Sequence, residues 1–371
     1  MRVYKAIKLI IINLGILVSL LLIVENFFLP NSGKIELSEN RFIKLYEHKQ
    51  NQTQIFDTYN WSVFFETAKY KRNNILSTDI NGYIKGPNYI KEYDKLIYFT
   101  GGSAVECMYV DEDKRFPYKV QENLRNLGKK VKTINAGVGG TNSYHGYLSL
   151  ITKGMKVKPD IIFFMYNGND ISLLSKTGSY HNAPVWRKLI IDNKNKELHT
   201  RYRGVFGTLR RIKNALFPKL WRYIRENVLG FDILKNPTDE FKNYRNLNPN
   251  NANIFDKYRK SIQNYISFCK SNDIRLILMS QFNRIENKSK VFVEDYNKFY
   301  QSKSADEFIY LYKEANSIIS EISRKNNIEF VDLNNLVPKT PEYIYDMIHL
   351  TDKGSLLVSE IITDYLKKTS L

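Results

Sequence analysis

The chain has 371 residues, of which 43% are hydrophobic and 13% aromatic, so it can build a core and does not have the composition of a disordered protein. Its net charge of +18 favours an acidic partner and says nothing about the fold. Nucleic acid is not an expected partner, because no nucleic-acid-binding motif accompanies the charge. The two cysteines, Cys107 and Cys269, lack metal-ligand spacing and are expected to be buried free thiols.

The segment at 6–29 has an uncharged apolar core at 9–24, which Arg2, Lys5 and Lys8 precede. About 20 apolar residues are enough to cross a bilayer, and the flanking basic residues stay on the cytoplasmic side. Residues 1–29 are therefore predicted to form a single transmembrane helix in the cytoplasmic membrane, with the rest of the chain periplasmic or extracellular. A cleaved signal peptide is the alternative, although no small-residue cleavage pattern follows. A buried globular helix is less favoured, because the segment is apolar on all faces.

Residues 30–94 are predicted to be a stalk and N-terminal cover, with 61–65 as a strand or a short helix. From residue 95 to 371, short apolar runs alternate with segments of helical period. The alternation predicts an α/β fold, a three-layer α/β/α sandwich around a parallel sheet of about five strands. The predicted strands are at 96–100, 131–136, 160–166, 275–279 and 328–332. The predicted helices are at 116–127, 143–157, 254–269, 308–324 and 352–367.

The alternation fails at about 172–250, which is predicted to be an insertion. Within it, residues 185–226 carry twelve Lys or Arg against three acidic residues, a net charge of +9, with aromatic residues interleaved. Basic and aromatic residues together suit an interfacial surface, so this segment is a candidate contact for anionic lipid or acidic polysaccharide. A solvated surface excursion is the alternative.

Three polar motifs follow the first three predicted strands, where the ligands of parallel sheets bind. Gly101-Gly102-Ser103 supplies a hydroxyl at the start of a helix, Asn135 to Gly140 ends in a glycine whose N–H is unobstructed, and Gly168-Asn169-Asp170 supplies a side-chain amide. Each motif alone is more often a helix cap or a turn.

Asp346 and His349 stand three apart in a loop before the last helix. At this spacing the carboxylate can hold one ring nitrogen of the imidazole and leave the other to face a serine. Without the other motifs, the more common interpretation of this spacing is a surface histidine near the start of a helix. In combination, the four motifs supply a nucleophile, two oxyanion donors and a base with its carboxylate, in one consistent order.

By these motifs the chain resembles the SGNH hydrolases, also called GDSL esterases and lipases, over about residues 95–370. The resemblance implies a catalytic domain in which Ser103 is the nucleophile, His349 the base and Asp346 its partner. It also implies that the backbone of Ser103, Gly140 and the Asn169 side chain form the oxyanion hole. The reaction requires no metal and no organic cofactor.

One residue departs from the family pattern, since the first block usually reads Gly-Asp-Ser and Gly102 replaces the Asp. Together with the upstream turn at 81–83, this departure resembles membrane-anchored bacterial relatives that remove or add O-acetyl groups on cell-envelope glycans. The expected function is therefore a serine esterase that acts on acyl esters through an acyl-serine. An O-acetyltransferase with the same triad and a catalytically idle glycan-binding scaffold are the alternatives.

Overall fold

The computed structural model describes residues 45–57, 73–88, 90–182, 250–288, 304–369 and 371, the pairs 42–43 and 190–191, and positions 9, 12, 13 and 16. The chain divides into two units. The smaller comprises Met1–Lys44 and Ile190–Lys235; in its described part, strands β1 (Phe42–Ile43) and β7 (Ile190–Ile191) pair antiparallel. The larger comprises Leu45–Leu189 and Asn236–Leu371 and holds every candidate site residue.

The larger unit is built on a five-stranded sheet. Its strands are β4 (Lys95–Gly101), β5 (Val131–Asn135), β6 (Ile161–Met165), β8 (Arg275–Met279) and β9 (Glu329–Val331). They run in the order β5-β4-β6-β8-β9, and every neighbouring pair is parallel. This confirms the predicted parallel sheet and places the carboxyl ends of all five strands along one edge.

Helices connect the strands and flank both faces of the sheet. They are α1 (Ser103–Glu106), α2 (Phe116–Asn126), α3 (Ser143–Thr152), α4 (Gly168–Thr177), α5 (Asn251–Ser271), α6 (Ala305–Asn326), α7 (Leu333–Leu336) and α8 (Asp352–Lys368). Single 3₁₀ turns occur at Glu112–Lys114, Gly154–Val157, Tyr180–Asn182 and Ile285–Asn287.

Alternation along the central strands divides the core into two parts. Leu96 and Tyr98 of β4 face a cluster that includes apolar residues of α3, α4, α5 and α6. Ile97 and Phe99 face a second cluster that includes α1, α2 and α8. The fold therefore has three layers, because both faces of the sheet are apolar and each is covered by helices.

Two paired strands precede the sheet. Strands β2 (Thr53–Asp57) and β3 (Asn73–Ser77) pair antiparallel, and Ile84 makes a single bridge with Asn135 at the end of β5. The segment after β3 thus reaches the end of β5 at Ile84.

The sequence prediction differs from the structure in one helix. A single helix was expected over 143–157, but α3 ends at Thr152 and a separate 3₁₀ turn begins at Gly154. Gly154 begins the 3₁₀ turn, and glycine is a poor helix former, which favours an end to α3 at this place. A side chain would be crowded there, since a Cβ on Gly154 would lie 2.8 Å from Leu150 and 3.3 Å from the hydroxyl of Tyr98.

Several predictions fall outside the described residues, namely nearly all of the anchor at 6–29, the segment at 61–65 and nearly all of the basic segment at 185–226. Among the described residues, no helix combines the length and apolarity needed to cross a bilayer. Cys107 and Cys269 are both buried free thiols, as predicted.

Candidate active site

The predicted nucleophile lies where β4 turns into α1. The strand ends at Gly101 and the helix begins at Ser103. A Cβ on Gly101 would lie 2.7 Å from the carbonyl oxygen of Met165, and one on Gly102 would lie 2.7 Å from the Asn169 amide nitrogen. Gly101 therefore requires glycine, because the Met165 backbone approaches too closely for a side chain, whereas the atom closest to Gly102 is the movable end of the Asn169 side chain.

The loop after β5 packs directly on α1. The Asn135 side chain accepts a hydrogen bond from the Gly137 N–H at 2.9 Å and donates one to the Glu106 carbonyl at 3.4 Å. A Cβ on Gly137 would lie 2.3 Å from the Glu106 nitrogen. Gly140 has a φ of 77°, a left-handed conformation that favours glycine. The loop carrying the predicted backbone donor is thus held against the helix that begins at Ser103.

Asn169 lies in the first turn of α4, and its amide nitrogen is next to Gly102. The sequence predicted that this amide aims at an oxyanion. In the structure it donates a hydrogen bond to the Thr141 carbonyl at 2.8 Å. A carboxamide has two N–H groups, so one fixes the loop after Gly140 and the other is the candidate oxyanion donor.

The loop with the predicted base is closed by an antiparallel bridge between Ile344 and Leu350. Within it, Asp346 Oδ1 accepts the backbone N–H groups of Ile348 at 2.8 Å and His349 at 2.7 Å. These bonds place the other carboxylate oxygen, Oδ2, 2.6 Å from His349 Nδ1. The three-residue spacing noted in the sequence therefore forms a local turn that holds the imidazole.

Ser103, His349 and Asp346 form one connected chain. His349 Nε2 lies 2.7 Å from Ser103 Oγ, although the two residues are far apart in sequence. The His349 side chain is 22% exposed and that of Asp346 is 10% exposed. The arrangement gives the serine a base within hydrogen-bond distance and gives the base a carboxylate that orients it.

Two tyrosines enclose the imidazole. The ring of Tyr345 stacks on His349 with centroids 5.8 Å apart and an interplanar angle of 17°. Tyr109 approaches edge-on at 6.1 Å and 79°. Burial lowers the pKa of His349, but the charge and hydrogen bond of Asp346 and the charge of Glu106 outweigh it, so the pKa lies above the usual imidazole value.

The Asp170 carboxylate, next to Asn169, is completely buried. It accepts hydrogen bonds from the backbone N–H of Ser143 at 3.1 Å, from its hydroxyl, and from the Tyr180 hydroxyl at 2.7 Å. Burial raises the pKa of Asp170 to about 6, against these hydrogen bonds. The carboxylate ties the starts of α3 and α4 together behind the oxyanion side of the site.

Sequence reasoning missed two residues near the site, Glu106 and His48. Glu106 stands three positions after the nucleophile, and its side chain is 4% exposed. His48 lies with its Nε2 2.9 Å from Glu106 Oε1. The signal in the sequence is an acidic residue inside the Ser103 block, but nothing local identifies its partner.

No family model matches the chain, and no curated protein matches it. Among solved structures, it is similar to a lipase/acylhydrolase from Enterococcus faecalis, with 16% identity, 74% of this chain and 96% of that chain covered, and a TM-score of 0.42. It is also similar to an acetylxylan esterase from Geobacillus stearothermophilus (14% identity, 76% and 96% covered, TM-score 0.42) and to a GDSL-like lipase from Bacteroides thetaiotaomicron (15%, 74% and 89%, 0.39). At these identities and scores the neighbours' activities do not carry over to this chain.

Proposed function

We propose that this protein is a serine esterase that acts on acyl esters, with acetyl esters of cell-envelope glycans as the substrate class. The observation that carries the proposal is the continuous contact from Asp346 Oδ2 to His349 Nδ1, and from His349 Nε2 to Ser103 Oγ, at 2.6 and 2.7 Å. Serine is a weak nucleophile on its own, and a positioned base with an orienting carboxylate is what activates it.

In the proposed reaction, Ser103 Oγ bonds to the acyl carbon while His349 Nε2 takes the hydroxyl proton. The negative charge that forms on the carbonyl oxygen is held by the N–H groups of Ser103 and Gly140 and by the Asn169 amide, and one such donor contributes about 2.7–4 kcal/mol of barrier lowering. The ester bond then breaks, and the alcohol leaves with the proton from His349. Water attacks the acyl-serine with His349 again as base, which releases the acid and restores the serine.

The substrate class rests on the sequence resemblance, on the Gly-Gly-Ser block and on the turn at 81–83. In the structure this turn is well formed, because Asp79 Oδ1 accepts the N–H groups of Asn81 at 2.8 Å and Tyr83 at 2.9 Å. Gly82 has a φ of 74°. Transfer of the acetyl group to a sugar hydroxyl instead of water would use the same triad.

The test is acetate release from a chromogenic acetyl ester and from an acetylated oligosaccharide. Ser103→Ala should abolish release while circular dichroism shows an unchanged fold. Ser267→Ala is the matched control, because this serine is exposed near the end of α5 that leads into β8, at the opposite edge of the sheet. Retained activity in Ser103→Ala would refute the proposal. Acetylation of an added oligosaccharide in place of acetate release would favour a transferase.

We further propose that residues 6–29 anchor the protein in the cytoplasmic membrane and that the catalytic domain lies on the outer side. The support is the uncharged apolar run and the basic residues before it. Protease added to intact spheroplasts should digest the catalytic domain, while cytoplasmic proteins, which the membrane protects, stay intact. Protection of the domain, or its release as a soluble form without residues 1–29, would contradict the proposal.

The basic segment at 185–226 is proposed to contact anionic lipid or acidic polysaccharide, because twelve basic residues and interleaved aromatic residues occur within it. Reversal of several of its charges should weaken association with vesicles that contain anionic lipid. Unchanged association would reject anionic lipid as the partner. Retention of the protein on an acidic polysaccharide column would then support polysaccharide binding, and no retention would indicate a solvated surface.

A further inference from the structure

A second carboxylate lies beside the triad. Glu106 ends the single turn of α1 that begins with Ser103. Its side chain is 4% exposed, and within the described ranges its Oε2 atom has no hydrogen-bond partner. Carboxylates are rarely this buried unless they are paired, because removing the charge from water is costly. We therefore expect Glu106 to have a partner that stabilises its buried carboxylate.

The partner is His48, whose Nε2 is 2.9 Å from Glu106 Oε1 and whose side chain is 13% exposed. The two atoms are at ion-pair distance without the geometry of an aligned hydrogen bond, and the imidazole carries a positive charge only when it is protonated. A pair of opposite charges in a buried place is stable only when both partners are present.

The backbone around His48 is fixed by its neighbours. A Cβ on Gly82 would lie 2.5 Å from the His48 carbonyl oxygen, so the turn at 81–83 packs on this residue. The next carbonyl, of Lys49, accepts the Thr78 hydroxyl at 2.6 Å. On the other side, Glu47 forms an ion pair with Lys153 at 2.6 Å. The segment that carries His48 is therefore fixed in place, with the imidazole next to Glu106.

The carboxylate of Glu106 abuts the glycine loop that follows β5. A Cβ on Gly139 would lie 2.8 Å from Glu106 Oε2, so the carboxylate occupies the space in which a side chain would stand. Gly139 directly precedes Gly140, the predicted backbone donor to the oxyanion. A negative charge at this place would oppose the negative charge that develops on the substrate oxygen.

We propose that His48 and Glu106 form a positioning pair for the esterase site. The Glu106 side chain braces the loop at 137–140, and His48 in its protonated form cancels the negative charge that this brace brings next to the oxyanion. The inference rests on the proposed esterase function. Besides His48, the groups that interact with the Glu106 charge are His349, Tyr109, Tyr345, Cys107 and Arg115.

The test is a double-mutant cycle on the full-length protein with His48→Gln, Glu106→Gln and the combination, measured as kcat and KM for the chromogenic acetyl ester. His48→Gln should lower kcat by at least roughly tenfold, with KM little changed, because an unpaired carboxylate opposes the oxyanion and not the neutral substrate. In the Glu106→Gln background the same His48 change should cost less than about threefold, since no charge is left to cancel.

His48→Arg gives a second test, because it supplies a permanent positive charge. It should recover part of the kcat that His48→Gln loses, whether or not Glu106→Gln folds. Glu47→Gln is the matched control, since it breaks the neighbouring ion pair on the same segment and should leave kcat within about twofold. Thermal melts of all variants separate loss of fold from loss of catalysis.

An unchanged kcat in His48→Gln would overturn the inference. So would an equal loss in both backgrounds, or a loss in Glu47→Gln as large as that in His48→Gln, because each would show a structural role without charge compensation. These outcomes differ from a failure of the esterase function itself, in which the wild-type protein would release no more acetate than Ser103→Ala. That last result would overturn both.

Discussion

Raising the pH should weaken the fold through Asp170. This carboxyl group is completely buried, and its pKa in the folded protein is about 6 against an ordinary value of 3.8. Because the folded pKa is raised, the contribution of Asp170 to stability is fully present below about pH 4 and is lost as the pH rises to about 6. One pKa unit corresponds to about 1.4 kcal/mol, so the loss should be about 3 kcal/mol.

The assay is equilibrium unfolding in urea at pH values from about 4 to 7.5, with Asp170→Asn as the reference. The asparagine cannot ionise but can still accept the Ser143 N–H. The free energy of unfolding of the wild type, minus that of the variant, should fall by about 2.5 kcal/mol across this range, since roughly 0.5 kcal/mol of the contribution is already lost at pH 4. A difference that stays constant with pH would refute the reasoning, because it would mean that burial does not penalise this charge.

Three further predictions concern catalysis. The acid limb of the pH profile of kcat/KM should have an apparent pKa above the usual imidazole value, since the charge of Asp346 and its hydrogen bond to His349 raise the pKa of His349 despite burial. An apparent pKa below about 6.5 would contradict this prediction. Asp346→Asn should lower kcat by orders of magnitude and leave KM nearly unchanged, because the variant no longer orients or charges the imidazole; steady-state kinetics showing a KM effect alone would argue against the triad. Gly102→Ala should lower kcat by roughly 100-fold, since the new Cβ would lie 2.7 Å from the Asn169 amide nitrogen and displace an oxyanion donor; wild-type kcat in this variant would remove Asn169 from the site.

The fold was predictable where local pattern decides it. The strand at Arg275–Met279 was predicted with the bounds that the structure has, because five apolar-rich residues between two helical segments leave little alternative. The end of α3 at Thr152 was not predicted, because apolar residues at helical spacing continue beyond it, and only the folded chain shows that a separate 3₁₀ turn begins at Gly154. Where an apolar pattern continues beyond a helix, the pattern alone does not locate the end of that helix.

The same distinction holds for the site. Asp346 and His349 form a local turn, so their spacing alone predicted their contact. The pairing of His48 with Glu106 joins two segments that only the folded chain brings together, and nothing near Glu106 in the sequence identifies its partner. The contact between Ser103 and His349 is also long-range, but motifs in one consistent order predicted it, whereas no motif indicates the pairing of His48 with Glu106.

The central claim is that Ser103 is an activated nucleophile. Incubation with a fluorophosphonate probe, followed by mass analysis of the peptides, tests it most directly because the probe bonds only to a serine whose proton can be taken by a neighbouring base. The account predicts one modified peptide, containing Ser103, and a labelling rate that falls steeply in His349→Ala. Labelling at another serine, or none at all in a folded protein, would contradict it and favour a scaffold without catalytic activity.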